Sequence, residues 1–210
     1  MEYIDVFDIN YNHIGKEEKD KAHLDGLWHQ TFHCWIVRPD NRILFQLRSK
    51  DKSTHPDKLD ISAAGHLSAG ESIEDGIREI KEELGIDVDF DNLASLGWYK
   101  QISDIPTKKG IFHNKEFTHV YFLKDNTPLN EYVMQPEEVD GLYEMSIEDG
   151  FKLFNDEVSE ISVRGIRRES NTCETIKISK DRFILRSSAY YNKLFIMAER
   201  FIKGEKYLGF

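Results

Sequence analysis

The first clear pattern of hydrophobic and polar positions predicts two adjacent strands. Residues 31–38 (TFHCWIVR) are almost continuously apolar, and in 42–48 (RILFQLR) large apolar residues occupy every second position from Ile43 onward. The Pro-Asp-Asn sequence at 39–41 between them is typical of a tight turn. Period-two alternation on either side of such a turn predicts a β-hairpin over 31–48.

The pattern becomes helical between Ser72 and Gly85. Apolar residues recur there every three or four positions: Ile73, Ile77, Ile80 and Leu84. Ser72 followed three residues later by Asp75 predicts a capping box, and Gly85 is suited to a left-handed C-terminal residue. We therefore expect a helix between Ser72 and Gly85, with its apolar stripe facing the core.

Weaker patterns predict the remaining elements. We expect a strand within 1–9, a turn near 10–15 and a charged loop at 16–26, then strands at 93–102, 117–124 and 139–145, a short helix at 147–155, two weak strands after 158 and an amphipathic helix at roughly 188–203. The predicted organisation is an N-terminal extension (1–28), a central domain (29–157) and a C-terminal extension (158–210).

Composition and charge limit the function. With 40% hydrophobic and 31% charged residues, the 210-residue chain has the composition of a globular protein rather than a disordered one. The 38 acidic and 28 basic residues give a net charge of −10, which repels nucleic acid and requires a cation to bring in a phosphate substrate.

The cysteine content and the length of the apolar runs indicate where in the cell the protein is located. Cys34 lies in an apolar run, where we expect a core residue, and Cys173 is far away in the sequence, so the pair does not indicate a disulfide framework. No apolar stretch approaches the roughly 18 residues that suggest a membrane span. We expect a cytoplasmic protein without a membrane or nucleic-acid partner; a homodimer stays open.

Three carboxylates on the predicted helix suggest metal chemistry. Glu79, Glu82 and Glu83 have i, i+3 and i+4 spacing, so they share one face of a helix. Clustered carboxylates repel each other, and Mg²⁺ or Mn²⁺ prefers such oxygen ligands. Arg78 is spaced to pair with Glu82 or with Glu71. An exposed acidic helix face is the ordinary alternative.

The preceding loop favours the metal hypothesis. Two glycines, Gly65 and Gly70, precede Glu71 just before the helix. Glycines permit close backbone approach, and a carbonyl near Gly65 could face the same metal.

These residues resemble the Nudix box of pyrophosphohydrolases: Gly65, five residues, Glu71, six residues, then REIKEELGI. The family usually has seven residues in the second gap, so the junction between loop and helix is one residue shorter here. The resemblance implies an α/β/α sandwich around a mixed β-sheet. It also implies metal ligation by Glu79, Glu82, Glu83 and the Gly65 backbone, with Arg78 and Glu71 as their orienting pair.

The resemblance extends to the Nudix branch related to isopentenyl-diphosphate isomerase, through GLWHQTF, QLRSKDKSTHP and LDISAAGH. It implies that Arg48 and Lys52 bind diphosphate. His23, His29 and His66 fall near the metal-binding histidines of the isomerases, and Glu116 falls on one of two downstream glutamates. The other glutamate is Asn114 here, and the isomerase cysteine is Ala64.

The expected function is hydrolysis of a diphosphate linkage in a small molecule, with Mg²⁺ or Mn²⁺ as cofactor. The expected catalytic group is Arg78, Glu79, Glu82, Glu83 and Glu116, and the expected substrate contacts are Arg48, Lys52, His66 and Glu71. The proton acceptor is either a box glutamate or Glu116. An isomerase and a ligand-binding module without turnover are the alternatives.

Overall fold

A computed structural model describes residues 1–107, 110–184, 186 and 189–210. The strands are β1 (Tyr3–Phe7), β2 (His13–Glu18), β3 (Trp28–Arg38), β4 (Arg42–Arg48), β5 (Leu59–Asp60), β6 (Ala63–His66), β7 (Leu93–Thr107), β8 (Gly110–Lys124), β9 (Val139–Ser146), β10 (Ile161–Arg167) and β11 (Cys173–Ile178). The α-helices are α1 (Lys19–Asp25), α2 (Arg78–Leu84), α3 (Ile147–Phe154) and α4 (Tyr190–Ile202).

Strand β3 organises the sheet. One edge pairs in parallel with β8, from His29 opposite Glu116 to Val37 opposite Lys124. The other edge pairs antiparallel with β1, β6 and β4 in turn. The sheet continues from β4 through β9 and β10 to β11, while β7 pairs with β8. This arrangement brings His29, Glu116 and β6 together at one end of β3.

Helices cover both faces of the sheet, as expected for the α/β/α sandwich. On one face, Trp35 and Phe45 pack with α3 and α4 through Leu153 and Phe195. On the other face, Phe32, Cys34 and Leu44 pack against Ile80 and Leu84 of α2. The alternation of side chains along β3 and β4 sends successive residues to opposite layers. Cys34 is fully buried, which confirms it as a core residue.

Most of the predicted elements are confirmed, with longer strands than expected. The hairpin over 31–48 forms as β3 and β4, although β3 begins at Trp28. The strands expected at 93–102 and 117–124 each run for 15 residues. The expected helix at 147–155 is α3, and the one at 188–203 is α4, with residue 188 outside the described residues.

The charged loop expected at 16–26 was a wrong prediction, because the chain completes β2 and then forms α1. Only Ala22 and His23 of α1 are buried, so its seven residues are too short and too polar to show an apolar stripe. Gly26 ends α1 in the left-handed conformation with φ of 63°. The consequence is that α1 carries His23 inward.

The helix after Ser72 begins with a 3₁₀ turn at Glu74–Ile77, and α2 follows directly. The Ser72 backbone N–H donates to Asp75 at 2.7 Å, which is half of the predicted capping box, but the Ser72 hydroxyl donates to Asp75 as well instead of accepting from its N–H. Gly85 ends α2 with φ of 72°, as predicted. The tighter 3₁₀ turn spans the shortened junction before Arg78.

Both terminal segments add strands to the sheet, β1 on β3 and β10 on β9. The proposed limits at 28/29 and 157/158 stay a prediction.

No helix among the described residues is long and apolar enough to cross a membrane.

Candidate active site

The carboxylate of Glu83 is buried between α2 and the sheet. Its Oε2 accepts hydrogen bonds from the backbone N–H of Ala64 at 3.0 Å and from Gln46 Nε2 at 3.1 Å. The side chain of Glu82 is half exposed, whereas that of Glu79 is 12% exposed and Glu83 is 4% exposed. The alternative of an exposed acidic face therefore does not hold for Glu79 and Glu83, because β6 lies against the carboxylate side of the short helix.

Arg78 connects the loop to the helix carboxylates. Its Nε and Nη2 donate to the two oxygens of Glu71 at 2.8 and 3.0 Å, and its Nη1 donates to Glu79 at 2.6 Å and to Glu82 at 3.1 Å. A further bond from Nη2 reaches the backbone carbonyl of His66 at 3.0 Å. The pairing of Arg78 with Glu71 forms despite the shortened junction, and one guanidinium orients three carboxylates.

The absence of a side chain at Gly65 makes room for Glu79. A Cβ at Gly65 would lie 2.1 Å from Glu79 Cδ, so only glycine permits this contact. The candidate donor set is therefore the carboxylates of Glu79, Glu82 and Glu83 beside the backbone of β6. Such hard oxygen donors fit Mg²⁺ or Mn²⁺.

The protonation of these carboxylates follows from burial. Burial raises the pKa of Glu79 to about 7, although Arg78 opposes the shift. Burial and the nearby Glu79 raise the pKa of Glu83 well above its usual range. A divalent cation would relieve the repulsion within the pair and displace the protons held there.

A second group of possible ligands lies next to the box. Ring nitrogens of His23, His29 and His66 all lie within 4.8 Å of one another, and the Nε2 atoms of His23 and His66 are 3.2 Å apart. Glu116 Oε1 lies 4.0 Å from Nε2 of both His29 and His66. The resemblance placed these four residues in one site, and the structure brings them together from α1, β3, β6 and β8.

Backbone contacts set the orientation of two of these rings. Nδ1 of His23 lies 3.0 Å from the carbonyl of Lys19, and Nδ1 of His29 lies 3.0 Å from that of Leu27. A carbonyl can only accept, so each Nδ1 carries the proton and each Nε2 has its lone pair as an acceptor. The lone pair of His23 Nε2 faces His66 Nε2, whereas His29 Nε2 has no hydrogen-bond partner among the described residues. Burial lowers the pKa of His23 to about 4 and that of His29 to about 3. These imidazoles are neutral near pH 7 and able to bind a cation.

Glu116 is also shifted by burial, which raises its pKa to about 7 against the effect of a hydrogen bond from Asn114. Asn114 is buried, and its Oδ1 has no hydrogen-bond partner among the described residues. The side chain of Ala64 has no exchangeable proton, while its N–H is used by Glu83. The cysteine and the second glutamate that the resemblance to the isomerases would place at residues 64 and 114 are therefore both replaced.

The two residues predicted to bind phosphate, Arg48 and Lys52, line one cavity together with Gly65 of the box. A cavity of about 840 Å³ is lined by Arg48, Lys52, Gly65, His66 and Glu116 among others. Lys52 pairs with the carboxylate of Glu138 at the cavity wall.

Arg48 also holds the neighbouring loop. Its guanidinium donates to the carbonyls of His55 and Thr54 at 3.2 and 3.1 Å, and to Asp60 at 3.3 Å. Sequence reasoning did not single out Asp60 or the cavity-lining Arg186. The sequence gives no motif that connects these two residues, because only folding brings residue 186 next to residue 60.

The NUDIX domain family matches residues 27–162. The chain therefore belongs to the Nudix family. An uncharacterized Nudix hydrolase of Clostridium acetobutylicum is 35% identical over 196 residues, which cover 90% of this chain and 93% of the relative. This similarity identifies the chain as a Nudix-type hydrolase.

Two further matches concern the branch and the fold. Isopentenyl-diphosphate Delta-isomerase 1 of Mus musculus is 28% identical over 196 residues, covering 86% of this chain and 82% of the relative. A crystal structure of a Deinococcus radiodurans protein superposes with a TM-score of 0.53 at 22% identity, covering 70% of this chain and 85% of that one. The second match concerns the fold alone.

Proposed function

We propose that this protein uses Mg²⁺ or Mn²⁺ to hydrolyse a diphosphate linkage in a nucleoside diphosphate derivative or a similar small molecule. The observation that carries the proposal is that Arg78 holds the carboxylates of Glu79 and Glu82, with Glu79 against the side-chain-free Gly65, while the Glu83 carboxylate is bound to the adjacent Ala64 N–H. Family membership supports hydrolysis, and the acidic net charge makes a cation necessary for a phosphate substrate.

The box residues would hold the cation through Glu79, Glu82, Glu83 and the Gly65 carbonyl. When bound, it would neutralise phosphate oxygens and lower the pKa of the attacking water. Arg78 keeps the carboxylates in position, and the contact of Glu83 with β6 fixes the helix against the sheet. Lys52, at the cavity wall, adds a positive charge for the substrate phosphate.

The histidine group supports a second cation site in the same proposal. Three neutral imidazoles and the Glu116 carboxylate suit Mn²⁺ or another transition metal better than Mg²⁺. Glu116 would then be a ligand, and proton removal would pass to a box glutamate. We propose a cytoplasmic small-molecule enzyme, and the homodimer stays an open alternative.

A substrate panel tests the proposal. Nucleoside diphosphate derivatives, dinucleotides, coenzyme A and prenyl diphosphates are incubated with the protein and Mg²⁺, and phosphate-containing products are measured. We expect release from at least one of these classes, loss of release in EDTA and loss of release in Glu82→Gln. No hydrolysis of any class with Mg²⁺ or Mn²⁺ would contradict the proposal.

An isomerase is the second candidate, favoured by the histidine group and by the similarity to the mouse isomerase. Isomerisation needs one group to protonate a double bond and another to remove a proton. Ala64 has no proton to give, and Asn114 is no base at neutral pH. We expect no deuterium uptake from D₂O into isopentenyl diphosphate with Mg²⁺ or Mn²⁺; uptake at enzymic rates would favour the isomerase.

A further inference from the structure

A buried charged triad lies in the cavity wall beside the box. Asp60 accepts from Arg186 Nη2 at 2.7 Å through Oδ1 and from Arg48 Nη1 at 3.3 Å through Oδ2. The side chains of Asp60 and Arg186 are each 8% exposed. All three residues line the cavity that also contains Gly65 and Glu116.

The C-terminal extension delivers Arg186 to this wall. The backbone N–H of Ile184 donates to the carbonyl of Leu59 at 3.0 Å, which places the segment next to Asp60. Tyr191 of α4 donates through its hydroxyl to the Ile184 carbonyl at 2.7 Å. The Arg186 guanidinium lies 5.1 Å from the centroid of the Tyr190 ring, a cation–π contact. Packing of α4 therefore fixes where Arg186 points.

The triad has more positive than negative charge. Arg48 and Arg186 contribute two positive charges and Asp60 one negative charge. The Asp60 carboxyl is ionised near neutral pH, because the two arginines outweigh the effect of burial and hold its pKa at about 2. Glu116 in the lining of the same cavity interacts electrostatically with Arg186 and offsets part of this charge, and a bound anion would offset the rest.

The triad is connected to Glu83, one of the candidate metal ligands, through Gln46. Asp60 on β5 is directly opposite Gln46 on β4, and the Gln46 side chain donates to Glu83 at 3.1 Å. Arg186 Nη1 donates to Gln101 at 2.7 Å, while Nε is buried and has no hydrogen-bond partner in the part of the chain that is described. The guanidinium has five N–H donors, so it retains donor capacity in the cavity wall.

We propose that Arg186 is a substrate-binding residue that holds a phosphate group of the substrate, with Asp60 fixing the position of its guanidinium. This inference rests on the proposed function, since it places the anion next to the hydrolytic site. Planar guanidinium groups bind phosphate through two parallel N–H bonds, which suits this role. The C-terminal extension then contributes directly to the active site.

The test measures binding of inorganic phosphate to the metal-free protein in EDTA by titration calorimetry. We expect Arg186→Gln to weaken binding at least about tenfold. Arg182→Gln is the matched control, because Arg182 lies on the same segment but pairs with the exposed Asp57, and it should bind phosphate like the unmodified protein. Equal phosphate affinity in folded Arg186→Gln and the unmodified protein would overturn the inference.

A second variant covers the case in which Arg186→Gln fails to fold. Arg186→Lys keeps the charge beside Asp60 but loses the planar fork, so we expect phosphate binding to weaken at least about threefold. Unchanged affinity in this variant also overturns the inference. The calorimetry involves neither metal nor turnover, so it is independent of the substrate panel. If the panel shows no hydrolysis but phosphate binding still depends on Arg186, the proposed function is rejected and the phosphate-binding role of Arg186 stands.

Discussion

The two groups of possible metal ligands differ in their chemistry although they share strand β6. The box provides carboxyl oxygens, and Arg78 contacts two of its three glutamates directly. The histidine group consists of buried neutral rings with Glu116 at its edge. Gly65 makes room for a box carboxylate, while the next residue, His66, belongs to the other group.

The difference is the basis on which we propose two kinds of cation site at adjacent residues. Carboxylates favour hard cations that bridge to phosphate, and imidazoles favour transition metals. In our account the box carries the hydrolysis, and the histidine group holds a supporting cation. The predictions that follow separate these two roles.

The largest effect is expected at the box. Glu82→Gln and Glu83→Gln should each lower kcat at least about 10²-fold, because each removes a cation ligand. Glu82 is half exposed, so in Glu82→Gln the free energy of unfolding should stay within about 0.5 kcal/mol of that of the unmodified protein. In Glu83→Gln the amide oxygen can still accept from Ala64 and Gln46, and a buried carboxyl with a raised pKa is removed, so the metal-free protein should be no less stable near neutral pH. Steady-state kinetics and urea unfolding measure both quantities.

The matched control is Glu74→Gln, a carboxylate that is exposed in the turn before α2. It should change neither kcat nor stability. A near-native rate in Glu82→Gln and Glu83→Gln would remove α2 from the active site.

A core residue of the same helix should affect stability instead of chemistry. Ile80 is fully buried against the layer that contains Phe32, so Ile80→Ala should reduce the free energy of unfolding by about 2–4 kcal/mol. Urea denaturation checks this value, with the exposed Ile102→Ala as control. A loss below about 1 kcal/mol would contradict the packing described for α2.

Filling the space at Gly65 should disturb the box without touching the histidine rings directly. In Gly65→Ala the added Cβ displaces the Glu79 carboxylate, and we expect kcat to fall at least about tenfold. Gly209→Ala is the control, since no heavy atom lies within 4 Å of a Cβ there. Native turnover in Gly65→Ala would show that the close contact with Glu79 is dispensable.

The smallest effect is expected at the phosphate-binding bases. Lys52→Ala should raise KM roughly fivefold and change kcat less, because one charge in the cavity wall is lost. Arg48→Ala should raise KM and also reduce stability, since Arg48 holds the loop carbonyls of Thr54 and His55. Unchanged KM in both variants would make them ordinary surface or loop residues.

The sequence predicted the local features well and the long-range ones poorly. The box helix, its apolar stripe and Gly85 could be predicted because their signals lie within about 20 residues. Helix α1 was missed since its single buried turn carries no periodic pattern. The burial of Glu83 depends on how β4 and β6 pack against α2, which no local pattern indicates. The histidine group was accessible only through family resemblance, and Arg186 had no signal at all.

The central claim is that the box, not the histidine group, carries hydrolysis. Its most direct test compares Glu82→Gln with His23→Gln on one diphosphate substrate, each at saturating Mg²⁺ and with tightly bound metal measured by mass spectrometry. We expect Glu82→Gln to lose at least about 10²-fold in kcat, and His23→Gln to lose less than about tenfold while binding less transition metal. The reverse order, with kcat abolished in His23→Gln and retained in Glu82→Gln, would contradict the account.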